Sequence, residues 1–200
     1  LPDGRHLDYL VYGPEDGIPL IWIHGTPSGY LPIPELLTTC ENKGIKLITF
    51  SRAGYGRSTR NKGRQVVDIV ADIQALNQHL GVERCVVGGW SGGDIEEFNA
   101  ALQGEEELQK FCAPARAAML NADVDGIIKE LSTLLPPVDK EALLSSEQLG
   151  QYMIDTFAEG LKINSDGWVD DDLAFTKPWG FELDEIKVPI LLYQGTEDKM

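Results

Sequence analysis

The run Val86-Val87-Gly88-Gly89-Trp90-Ser91-Gly92-Gly93 constrains this chain more than any other stretch, because an apolar β-type segment ends abruptly in the pattern Gly-x-Ser-x-Gly. A strand that turns this tightly leaves its central residue strained, with the hydroxyl pushed away from the backbone. Gly89 and Gly93 flank Ser91 where a Cβ would collide with the returning chain, and Gly92 lets its own N–H point toward the same space. Residues 83–87 read as the buried strand that such an elbow requires.

Strand and helix signals alternate through the first half, the order of an α/β protein with a mainly parallel sheet flanked by helices. Residues 6–12, 19–23 and 45–50 read as strands, and 34–43 suits a short helix. Across 65–80 the residues Val66, Ile69, Val70, Ile73, Leu76 and Leu80 recur at helical spacing, and Gly81 ends that helix. After the elbow the character changes. Helical patterns cover 95–102, 105–120, 126–135 and 140–161, punctuated by Gly104, Pro114 and Pro136-Pro137. A polar stretch with Gly167, Asp170-Asp171-Asp172 and Pro178-Trp179-Gly180 follows, and 188–193 reads as one more apolar strand within the core.

Composition narrows the partners. With 42% hydrophobic and 24% charged residues the chain is ordinary globular material, and a net charge of −15 argues against nucleic acid, whose phosphates need basic surface. No apolar run approaches the ~20 residues that span a bilayer, so no membrane insertion is expected. Cys40, Cys85 and Cys112 are odd in number and lack Cys-x-x-Cys spacing, which predicts neither a disulfide framework nor a zinc site and points to a reducing, cytoplasmic location. Gly54-Tyr55-Gly56 lacks the third glycine of a dinucleotide fingerprint. The Asp170-Asp171-Asp172 triplet has no His or coordinating Glu at loop spacing and reads as a solvated acidic loop. A small-molecule substrate is therefore expected, with no metal and no cofactor.

Four motifs stand in order at strand ends: His24-Gly25-Thr26-Pro27, Arg52-Ala53-Gly54-Tyr55-Gly56-Arg57-Ser58, Gly89-Trp90-Ser91-Gly92-Gly93 and Gln194-Gly195-Thr196-Glu197-Asp198. In these the chain resembles the α/β-hydrolase superfamily over nearly its whole length, above all the proline-iminopeptidase-like and esterase-like members with an inserted helical cap. The resemblance implies an α/β-hydrolase fold in which 1–93 form the N-terminal part of the core, 94–180 the helical cap and 181–200 the return to the core. It implies Ser91 as nucleophile and Asp198 as the acid of a triad, with Asp123 or Asp125 as the alternative acid. Oxyanion donors would be the Gly92 N–H and an N–H of the 24–27 loop, where Pro27 has none, leaving Thr26 first and Gly25 next. Trp90, Trp168 and Trp179 are candidates to line the substrate pocket, core packing being the alternative.

Two departures from the family pattern stand out. The family order is Ser, acid, His, yet only Lys199 and Met200 follow Asp198; His6, His24 and His79 all precede the elbow, so the general base is expected beyond residue 200. Asp94-Ile95-Glu96-Glu97-Phe98 reads as too acidic for a helix beneath a sheet, and no strand pattern lies between the elbow and residue 188. Residues missing between Gly93 and Asp94 are therefore expected. The function expected is a serine-dependent hydrolase cleaving an ester, amide or related carbonyl substrate through an acyl-enzyme. A proline-type aminopeptidase, with Glu96, Glu97 or Asp171 holding a substrate ammonium, is one alternative. A non-catalytic ligand-binding α/β-hydrolase-fold protein is the other. Serine rather than aspartate at the elbow speaks against haloalkane dehalogenase or epoxide hydrolase chemistry.

Overall fold

The computed structural model describes residues 1–90, 93–131 and 134–197. Strands β1 (Tyr9–Tyr12), β2 (Ile18–Ile23), β3 (Ile45–Phe50) and β4 (Val86–Gly89) form one sheet in the order β1-β3-β2-β4. β2 runs parallel to β3 and β4, and β1 antiparallel to β3. Helices α1 (Pro34–Asn42) and α2 (Ile69–Leu80) make the crossovers that parallel neighbours require. The apolar stripe of α2, Ile69, Ile73, Leu76 and Leu80, packs on Ile21, Ile48 and Phe50 of the sheet. Gly81, at φ +66°, closes α2 in the left-handed conformation and lets the Val82 N–H reach back to the Asn77 carbonyl.

Among the described residues, six helices form a second layer: α3 (Ile95–Gln103), α4 (Glu105–Asn121), α5 (Val124–Glu130), α6 (Pro137–Ser145), α7 (Glu147–Leu161) and α8 (Asp166–Phe175). Their core joins Leu108, Cys112 and Met119 of α4 to Ile127, Phe157, Leu161, Trp168 and Val169. Tyr55, from the loop after β3, is buried in that same core. The two layers meet through bare backbone. The Gly167 N–H donates to the Gly54 carbonyl at 3.2 Å and the Gly56 N–H to the Gly160 carbonyl at 2.9 Å. A Cβ on Gly160 would overlap the Ser28 carbonyl, so glycine is what permits this approach.

Several expectations are corrected. The helix expected from residue 65 begins as a 3-10 turn, Val66–Asp68, and becomes α-helical only at Ile69. The elbow strand is short and uncovered: Val86 is 57% and Val87 54% exposed, because β4 is the outermost strand and α2 covers its neighbours. The single helix expected over 140–161 is two, since the Ser146 hydroxyl accepts from the Leu149 N–H and starts α7 afresh. The Asp170-Asp171-Asp172 triplet is no solvated loop but a buried part of α8. Residues 188–193 form no strand and are exposed throughout, with no second sheet edge beside them among the described residues.

The acidity after the elbow has a local cause. Asp94 Oδ1 accepts from the Glu96 and Glu97 N–H groups at 2.7 and 3.1 Å, while Glu97 Oε2 accepts from the Asp94 N–H at 2.6 Å. This is a capping box, and carboxylates are favoured at the positive end of a helix. α3 then packs on α4 and α8 rather than beneath the sheet, so its charge is no sign of misplaced chain.

Candidate active site

Strand register brings the site together. β2 pairs with β4 so that Ile23 lies opposite Gly89, and with β3 so that Ile23 lies opposite Phe50. His24-Gly25-Thr26-Pro27, Ser51-Arg52 and Trp90 therefore leave the sheet side by side, at the carboxyl ends of three neighbouring parallel strands. Ligands in open α/β sheets bind at that end. A cavity of about 250 Å³ opens there, lined among others by His24, Arg52, Arg64, Trp90, Asp171 and Phe175. Three of the expected site residues, Ser91, Gly92 and Asp198, lie outside the described residues.

The loop after β2 is pinned from several sides. The Gly25 carbonyl accepts from the Ser28 N–H at 2.9 Å and from His24 Nδ1 at 2.8 Å, and His24 Nε2 accepts from the Arg52 N–H at 3.0 Å. Both ring nitrogens of this buried histidine are thus engaged in the neutral form. Burial first, and then the Arg52 charge, hold its pKa well below the ordinary imidazole value. His24 is not a free base. His6 and His79 line a different hollow beside Tyr9, whose hydroxyl is 3.0 Å from His79 Nε2.

The acidic triplet of α8 is matched by arginines from the loop after β3. Asp170 binds Arg60 through Nε and Nη2, both at 2.8 Å, and Arg64 Nη1 at 3.4 Å. Asp171 Oδ1 accepts from Arg64 Nη2 at 2.5 Å, and Oδ2 from Arg52, Tyr55 and Thr26. Burial alone would raise the Asp171 pKa, but Arg52 and Arg64 outweigh it and hold the carboxyl well below the usual range. The sequence holds the members of this network, Arg52, Arg60 and Arg64 in one loop and an acidic triplet more than a hundred residues later, but nothing local pairs them. Asp172 differs. It is fully buried, neither oxygen has a hydrogen-bond partner among the described residues, and burial, Glu97 and Asp171 push its pKa up to about 9. Glu97 is raised to about 7 by burial and by Asp94.

The three tryptophans separate. Trp90 lines the cavity, and its indole Nε1 is buried without a hydrogen-bond partner among the described residues. Trp168 is only 1% exposed; it donates to Glu97 Oε1 at 3.0 Å and packs edge-on against Phe111, so it belongs to the helical core and not to the cavity wall. Trp179 donates to the Phe175 carbonyl at 3.2 Å beside Phe181 and is exposed. Asp123 caps α5 by accepting from the Gly126 N–H at 2.9 Å, and Asp125 is exposed on the first turn of that helix.

No family model matches the chain. A probable proline iminopeptidase of Streptomyces coelicolor is 25% identical over 149 residues, 70% of this chain and 46% of its own length. A non-heme chloroperoxidase of Streptomyces lividans is 30% identical over 104 residues, 50% of this chain and 38% of its own. This chain therefore spans less than half the length of either relative. An α/β-hydrolase superfamily protein of Bacillus subtilis is 24% identical over 217 residues, covering 98% of this chain and 80% of its own. Among solved structures, a thermophilic esterase from Thermogutta terrifontis superposes with a TM-score of 0.59 at 15% identity, over 86% of this chain and 68% of that one. A hydrolase from Pseudomonas aeruginosa gives 0.56 at 19% identity, over 87% and 69%. With three strand-end loops converging and solved structures of this kind, the chain has the α/β-hydrolase fold, and the distant relatives it resembles include proline iminopeptidases and an α/β-hydrolase superfamily protein.

Proposed function

We propose that the protein is a serine-dependent hydrolase that cleaves an ester, amide or related carbonyl compound of small size through an acyl-enzyme. The observation that carries this reading is the β2–β4 register, Ile23 opposite Gly89, which sets the 24–27 loop beside the chain entering Ser91. In this reading the Ser91 hydroxyl loses its proton to a histidine as its oxygen bonds to the substrate carbonyl carbon. The resulting oxyanion is held by the Gly92 N–H and by Thr26 or Gly25, and collapses with departure of the protonated leaving group. Water then repeats the sequence and releases the acid. Asp198 would orient the histidine, which is none of the three in this chain given how His24, His6 and His79 are placed.

The test is Ser91→Ala in the intact protein, with p-nitrophenyl acetate as substrate. We expect kcat/KM to fall by at least ~10³-fold while the melting temperature stays unchanged. A serine-directed fluorophosphonate should label Ser91 alone. Retention of most activity by the variant overturns the assignment.

A proline-type aminopeptidase is a second reading, favoured by Asp172, a buried carboxyl group that is protonated at neutral pH and has no hydrogen-bond partner among the described residues, next to Glu97. An acid pair in the helical layer is what a substrate ammonium would seek. In that reading Asp172→Asn raises KM for prolyl p-nitroanilide and leaves p-nitrophenyl acetate untouched; equal effects on both substrates dismiss it.

The reading also includes a segment between Gly93 and Asp94 in the native protein. The match to the Bacillus relative runs over 217 residues, more than the 200 here, and among the described residues the outer side of β4 has no strand beside it and residues 188–193 join no sheet. Recovery from the native protein of a single peptide that crosses Gly93–Asp94 would refute it.

A further inference from the structure

One carboxylate on α8 holds both loops that frame the elbow. Thr26 Oγ1 donates to Asp171 Oδ2 at 3.1 Å and accepts from Arg52 Nη2 at 2.9 Å. The same Asp171 oxygen accepts from Arg52 Nη2 at 2.5 Å, Arg52 Nε at 3.1 Å and the Tyr55 hydroxyl at 2.8 Å. Arg52 in turn donates through Nη1 to the His24 carbonyl, and through its backbone N–H to His24 Nε2 at 3.0 Å. Asp171 is 4% exposed and Arg52 9%, so the network sits out of water, where such bonds are strong and their geometry is fixed. The loop is thus tied at His24 and at Thr26 to a single ion pair whose acid comes from the helical layer. Nothing in the loop's own turn, the Ser28 N–H to Gly25 carbonyl bond, fixes Thr26 in this way.

We propose that Asp171 is a positioning residue: through Thr26 Oγ1 and Arg52 it fixes the 24–27 loop as an oxyanion donor, so that transition-state stabilisation depends on the docking of α8. This rests on the reading of that loop given under the proposed function. An oxyanion donor works only when preorganised, each being worth on the order of 10²–10³ in rate, and a displacement of about 1 Å removes much of that. A hydroxyl that merely satisfied a buried carboxylate would influence stability alone.

Three variants of the intact protein separate the two roles, with p-nitrophenyl acetate as substrate. Thr26→Val keeps the side-chain shape and the backbone N–H but removes both hydroxyl bonds; we expect kcat to fall roughly tenfold to a hundredfold with KM within about twofold. Thr26→Ser, which keeps the hydroxyl, should restore most of the rate. Asp171→Asn, assayed well below its melting temperature, should lower kcat at least as far as Thr26→Val. Affinity for an alkyl boronic acid, which becomes a tetrahedral anion on the serine, should fall in step with kcat, while affinity for a neutral product acid amide does not. Wild-type kcat in Thr26→Val overturns the inference, as does equal loss in Thr26→Val and Thr26→Ser, or a rise in KM at constant kcat. Failure of the two proposals is distinguishable: an active Ser91→Ala removes the catalytic reading and this one together, whereas an inactive Ser91→Ala with a fully active Thr26→Val removes only this one.

Discussion

Asp171 and Asp172 are neighbours in sequence, yet they respond to pH in opposite directions. Asp171 is ionised against Arg52 and Arg64, so its contribution to stability is present above the ordinary carboxylate pKa and is lost as pH falls. Asp172 and Glu97 have raised pKa values, about 9 and about 7, and so bind their protons more tightly in the folded state. Their contribution is fully present below the ordinary carboxylate pKa and is lost as pH rises toward those values. The melting temperature should therefore decline from about pH 5 to about pH 9, and Asp172→Asn should flatten the decline, gaining roughly 1–3 kcal/mol near pH 8 and less near pH 5. Calorimetry across that range checks this, and parallel curves for the two proteins would contradict it.

At the scale of elements, the junctions carry the specificity. The α3 N-terminus depends on Asp94, and Asp94→Ala should cost about 1 kcal/mol in a urea denaturation series through loss of the cap. The docking of α7 against the loop after β2 depends on Gly160 having no side chain. Gly160→Ala should cost roughly 1–3 kcal/mol, because the Ser28 carbonyl is part of a backbone already held from both sides. A neutral result would mean that the two layers slide apart at little cost.

For the whole molecule, the sheet covers its centre and leaves one side open. Val86 and Val87, on the edge strand β4, are exposed, and so are the apolar residues of 188–193, which join no sheet among the described residues. Exposed apolar runs with β propensity promote self-association. Leu192, 86% exposed, makes no packing contribution to lose. In the 200-residue chain, without the additional segment proposed for the native protein, Leu192→Lys should leave the urea midpoint unchanged within about 0.5 kcal/mol while reducing concentration-dependent light scattering. Unaltered scattering would contradict this.

The strand–helix alternation of the first half and the Gly81 stop are local properties, set by periodicity and by glycine's backbone freedom, and the sequence alone determined them. The convergence of His24-Gly25-Thr26-Pro27 with Trp90 is set instead by the β2–β4 register, which is a property of the sheet. What only the tertiary structure decided is where charge ends up. Whether Asp170-Asp171-Asp172 faces water or three arginines depends on contacts more than a hundred residues apart in sequence, such as Arg60 with Asp170. Whether Trp168 lines a cavity or anchors a core depends on which face of α8 meets α4, and whether 188–193 becomes a strand depends on an edge being there to pair with. Burial and pairing are properties of the assembled layers, and no window of sequence contains them.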